Sequence, residues 1–117
     1  MNLINNKKIK NTIFLLFVSS ALFGESNFDI IKKDGKKVFK TYCWGCHHQT
    51  SMAFGPSFKE IANKRTKQEI MAYIISPISI YKQQGYKRSV MPSFIDELST
   101  KELESITQYI LLYKDKK

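Results

Sequence analysis

Every cysteine and histidine of the 117-residue chain lies in one run, C-W-G-C-H-H, formed by Cys43, Trp44, Gly45, Cys46, His47 and His48. Two thiols beside imidazoles can make a redox dithiol, a zinc site or an attachment point for a porphyrin. A structural zinc ion wants four tetrahedral ligands, usually as two pairs separated by enough chain to fold round it. Cys46, His47 and His48 are consecutive and cannot all readily point at one ion. A thioredoxin-like dithiol sits between a strand and a helix in a βαβ pattern, and this chain has no strand pattern. Haem attachment fits each residue. Each thiol adds to one vinyl group of a porphyrin, and the histidine after the second thiol, His47, is then held at the iron as an axial ligand.

The second axial position has four candidates in His48, Met52, Met71 and Met91. His48 is tied to its neighbour, Met52 is close along the chain, and Met71 falls in an apolar helical segment. Met91 lies 44 positions after His47 and precedes Pro92, which biases its backbone to extended geometry and helps fix its direction. Met91 is the ligand expected.

The segments that must position these residues read as helices. Phe28, Ile31, Gly35, Val38 and Tyr42 recur at steps of three and four, marking a helix over about 29–41. Ser57 with Glu60, Thr66 with Glu69 and Ser99 with Glu102 have the spacing of capping boxes. They open helices running to about residue 64, over 67–75, and over 100–113, the last carrying Leu103, Ile106, Ile110 and Tyr113 on one face. Gly35, in the middle of an apolar stripe, implies a close approach by another element, with Tyr109 or Tyr113 filling the space. Residues 77–99 read as a long irregular connection, too long for a small domain unless it wraps something.

The N-terminus has the order of a secretory signal peptide. Lys7, Lys8 and Lys10 precede an uncharged apolar run over 13–23, and small residues follow. The run is well short of the roughly 20 residues that span hydrocarbon, so residues 1–26 are read as a cleaved signal, with a retained anchor the weaker alternative. Residues 27–117 then form a single domain in the periplasm. That domain holds 16 basic and 9 acidic residues, a net charge of +7. An exported basic surface points to acidic protein partners or to peripheral contact with anionic membrane, and away from nucleic acid. A domain of about 90 residues also has a marginal core that a cofactor could complete.

The segments G-K-K-V-F-K-T-Y-C-W-G-C-H, F-G-P-S-F, V-M-P-S-F and L-S-T-K-E-L-E-S-I-T-Q-Y-I, in this order, resemble the small bacterial class I c-type cytochromes, single-haem electron carriers with His/Met ligation. The resemblance implies an all-α cytochrome c fold of three to five helices around one covalently attached haem c. It implies a monomeric electron carrier rather than an enzyme. Cys43 and Cys46 would hold the haem and His47 and Met91 the iron. Gly35 would lie at a crossing of the terminal helices near Tyr109, with Phe39 in the same contact. The Pro56 carbonyl would accept from the ring N–H of His47, and Arg65 and Lys64 would face the haem propionates. His48 departs from the pattern, standing where such proteins often carry Gly. The alternative reading is a haem subunit of a larger oxidoreductase, or a ligand-binding or catalytic haem protein whose Met91 leaves the iron.

Overall fold

A computed structural model describes residue 24 and residues 26–117. The apolar run assigned to a signal peptide lies outside the described residues. Among those residues there are five α-helices and a π-helical turn, with no strand, and no helix is long and apolar enough to cross a membrane. The fold is all-α.

Helix α1 (Asn27–Val38) starts at Ser26, whose hydroxyl accepts from the Asp29 N–H at 3.2 Å. Its apolar stripe is only partly the one expected from spacing. Gly35 and Val38 are buried, but Phe28 is 56% exposed and Tyr42 lies at the surface. Tyr42 leaves the stripe because α1 runs into a π turn over Phe39–Cys43, in which the Trp44 N–H reaches back five residues to the Phe39 carbonyl at 2.9 Å. The wider turn carries one more residue than an α turn and changes the direction of every later side chain. Phe39, four residues after Gly35 and at the start of this turn, stays on the stripe and is buried at 1% exposure, while Tyr42 packs edge-on against Phe94, 6.0 Å between centroids.

Helix α2 (Phe58–Lys64) opens at Ser57, which accepts from the Glu60 N–H at 3.1 Å. The return half of the expected box is not made, because the Glu60 carboxylate pairs with Lys64 at 2.8 Å, one helical turn on. Two further first-turn donors are satisfied by the preceding loop, Phe58 N–H to His48 O and Lys59 N–H to Gln49 O, both at 2.9 Å.

Helix α3 (Lys67–Ile75) and the terminal helix α5 (Thr100–Leu111) carry both halves of their boxes, Thr66 with Glu69 and Ser99 with Glu102. The backbone N–H groups of Thr66 and Ser99 accordingly hold the two carboxyls below the usual carboxylate range.

The connection over 77–99 is not irregular throughout. Pro77 ends α3 and also opens α4 (Pro77–Gln83), since its fixed φ and missing N–H suit a first helical position. Gly85, at φ +79°, closes α4 by letting Gly85 N–H reach Lys82 O and Tyr86 N–H reach Tyr81 O.

Helices α1 and α5 make the most extensive packing in the fold. Val38, Phe39, Phe58, Ala62, Ile70, Ile74, Ile106, Tyr109 and Ile110 form the core between them, α2 and α3. Gly35 sits at the α1–α5 crossing. A Cβ there would lie 2.4 Å from Tyr109 Cβ and 2.5 Å from the Ser105 carbonyl. Both obstacles belong to the helix opposite, so they cannot swing away. Gly35→Ala is expected to cost about 2–3 kcal/mol of stability, the upper part of the range for overpacking and larger than the ~1 kcal/mol that Ala adds in a helix. Chemical denaturation checks this, and a midpoint at or above that of the parent would refute it.

Candidate haem site

The π turn delivers Cys43 half-buried against the core, and a tight turn follows in which Cys46 N–H and His47 N–H both bond to the Cys43 carbonyl, at 3.1 and 2.9 Å. Cys46 is exposed. Burial, with the neighbouring Cys46 adding to it, pushes the Cys43 thiol up to about 11.

His47 is held from three sides. Its Nδ1 lies 2.6 Å from the Pro56 carbonyl. A carbonyl can only accept, so Nδ1 carries the hydrogen and Nε2 keeps the lone pair that a metal needs. The Phe58 ring lies 5.9 Å from the imidazole, tilted by 30°. On a third side Gly55 comes so close that a Cβ would stand 2.7 Å from His47 Cε1. Sequence reasoning did not single out Gly55 or Phe58. The Gly-Pro pair before a helix cap marks a turn, but nothing in that pattern says what the turn closes upon.

His48 faces away, exposed and stacked on Trp44 with ring centroids 6.5 Å apart and planes at 29°. Met52 is 76% exposed, and Met71 is half-buried on α3. Met91 is half-buried and packs on the same core cluster as Cys43, Phe94 and Leu98. Its loop is anchored to the end of α3, where Phe94 N–H bonds to Ile74 O at 3.0 Å and the Ser93 hydroxyl bonds to Ile75 O. Those carbonyls are ones that a helix end leaves open. Arg65 lays its guanidinium over the Tyr73 ring at 5.1 Å, and Lys64 pairs with Glu60. Pro56 is exposed apart from its bond to His47.

The residues present suit a haem. Two thiols, an imidazole with a free Nε2 and a thioether are the groups that could supply two covalent anchors and two iron ligands. Exposed apolar side chains flank both ligand segments, Met52 and Phe54 after His47, Val90 and Ile95 around Met91.

The family model for cytochrome c matches residues 32–113. Among solved structures, a cytochrome c from Rhodothermus marinus superposes with a TM-score of 0.61 at 24% identity, covering 78% of this chain and 83% of that one. An engineered form of that cytochrome superposes with a TM-score of 0.60 at 23% identity, over 78% and 84% of the two chains. These likenesses establish the shared fold. A search of curated protein sequences finds no match. The matched residues span most of the chain, from α1 through the C-W-G-C-H run to the end of α5, and the chain belongs to the cytochrome c family, haem-binding electron-transfer proteins that carry covalently attached haem c.

Proposed function

We propose that this chain is a monomeric periplasmic carrier that moves single electrons between respiratory redox proteins. Cys43 and Cys46 anchor the haem as thioethers. His47, through Nε2, and Met91 would hold the iron. The observation that carries this reading is the 2.6 Å contact of His47 Nδ1 with the Pro56 carbonyl, which leaves Nε2 as the free donor.

Haem c supplies an iron that cycles between the ferrous and ferric states. The residues determine how it is used. The Pro56 carbonyl fixes the tautomer and direction of His47 and increases its basicity. A thioether opposite an imidazole raises the potential relative to two imidazoles. With His47 and Met91 both available to hold the iron, the reading is electron transfer without substrate chemistry there. The test is the optical spectrum of the oxidised haem-loaded protein. A weak far-red sulfur-to-iron band is expected, with no response to carbon monoxide once the iron is reduced, and a high-spin spectrum together with carbon monoxide binding to the reduced protein would sink the reading.

The domain's net charge of +7 calls for partners with acidic docking faces, met in brief encounters. Raising salt from about 0.01 M to 0.15 M shortens the screening length from roughly 30 to 8 Å. The association rate with the native electron acceptor is expected to fall by at least about tenfold over that range. Stopped-flow mixing measures it, and a salt-independent rate would rule out charge steering.

A further inference from the structure

We propose that Gly55 is a positioning residue for the axial imidazole: the missing side chain lets the turn before α2 close on the His47 ring and hold it at the Pro56 carbonyl. The inference rests on His47 being the iron ligand.

The space that Gly55 leaves empty is occupied by His47. A Cβ would stand 2.7 Å from Cε1, 3.1 Å from Nδ1 and 3.3 Å from the Cys46 carbonyl. Backbone conformation does not call for glycine here, because Gly85 alone among the described glycines has positive φ. Gly45, inside the C-W-G-C-H run, has nothing within 4 Å of its Cβ direction. The constraint at position 55 is therefore the imidazole itself.

The turn cannot back away to make room. Gly55 N–H donates to Cys46 O at 2.7 Å, and Ala53 N–H donates to Gly55 O at 3.2 Å. Just beyond, Ser57 caps α2 and Phe58 N–H bonds to His48 O, so both ends of the 48–58 loop are pinned. The Phe58 ring, 5.9 Å away, stands against another side of the imidazole. A methyl group at residue 55 has to displace the ring, and the displaced ring loses alignment with the Pro56 carbonyl.

The sign of the effect follows from the hydrogen bond. Donation from Nδ1–H to a carbonyl makes the imidazole a stronger electron donor and favours the ferric iron. Weakening it favours the ferrous form. In haem-loaded Gly55→Ala, the His47 Nδ1–H should exchange with solvent at least about tenfold faster than in the parent. The reduction equilibrium should shift toward the ferrous form by up to about tenfold, a rise of about 59 mV for one electron.

Gly35→Ala is the comparison, since it strains the α1–α5 crossing and leaves the His47 turn alone. It should lower stability while keeping potential and ring exchange within about twofold of the parent. The proposal is overturned if Gly55→Ala leaves both quantities at parent values, or if Gly35→Ala moves them as far. If Gly55→Ala fails to load haem, the parent protein decides. Its His47 Nδ1–H should exchange only through global unfolding and so quicken with denaturant, and denaturant-independent exchange through small local openings overturns the proposal. The ligand assignment is tested separately, before any variant is made, by paramagnetically shifted His47 ring signals in the ferric parent. Their absence overturns that assignment rather than the contact between Gly55 and the ring.

Discussion

Met91→Ala is expected to remove the far-red sulfur-to-iron band from the oxidised protein, turn the spectrum high-spin and let carbon monoxide bind the reduced iron. Neither the other methionines nor the second histidine among the described residues stands ready to replace the thioether. Met52 is 76% exposed, His48 is stacked outward on Trp44, and Met71 is built into α3. Loss of the thioether should also lower the potential, by more than about 59 mV, or tenfold in the reduction equilibrium. The fold should survive, because the loop is held through the backbone at Ile74 and Ile75 rather than through the methionine side chain. A half-buried Met should cost no more than about 2 kcal/mol, the low end for truncating a core residue. Absorption spectra under argon and under carbon monoxide decide the matter. A retained sulfur band in the variant would move the assignment to Met52 or Met71.

Phe58→Ala should produce the largest loss of stability of any single truncation near the site. Phe58 is 2% exposed and meets Phe39 edge-on at 5.1 Å, Tyr109 and Tyr113 both at 6.3 Å, and His47 at 5.9 Å. It is the ring through which the π turn, α2, α5 and His47 touch one another. Truncating a buried Phe costs about 3–5 kcal/mol, from lost burial and from the cavity left behind. Against a total stability of roughly 5–15 kcal/mol, that is a large share. For a domain of this size the melting temperature should fall by at least about 12 °C. Phe58→Leu should recover much of the loss, because it refills most of the volume. Thermal unfolding of the haem-loaded variants followed by circular dichroism provides the measurement. An unchanged melting temperature for Phe58→Ala would mean that the haem, and not this ring, ties the helices together.

How far the sequence could be read depended on how local each signal is. The boxes at Thr66 and Ser99 form as their spacing predicts, because cap and carboxylate are three residues apart and need nothing else. The same pattern at Ser57 is half made, because Lys64 competes for the Glu60 carboxylate. Pro77 was legible as the end of α3 but not as the start of α4, since proline stops one helix and begins the next equally well. The apolar stripe of α1 ends about one turn sooner than its spacing predicts. A period of 3.6 cannot anticipate a π turn, so Tyr42, expected on the stripe, lies at the surface.

What the sequence determined by itself was the helical class and the likeness to proteins that carry covalent haem c. Cys43, Cys46 and His47 lie within five residues, where covalent spacing alone restricts what they can do, and the helix starts are written within single turns. Gly35 against Tyr109 was also within reach, because a glycine in an apolar stripe asks for a neighbour. Only the tertiary structure decided that Gly55 and Phe58 close on His47 and how the Met91 loop is anchored. Gly55 meets His47 because the 48–58 loop is pinned at both ends, and the Met91 loop is fastened by open carbonyls at the end of α3. Those contacts join backbone groups distant in the chain, and backbone groups are alike in every residue. Their partners are chosen by packing, which no short stretch of sequence contains.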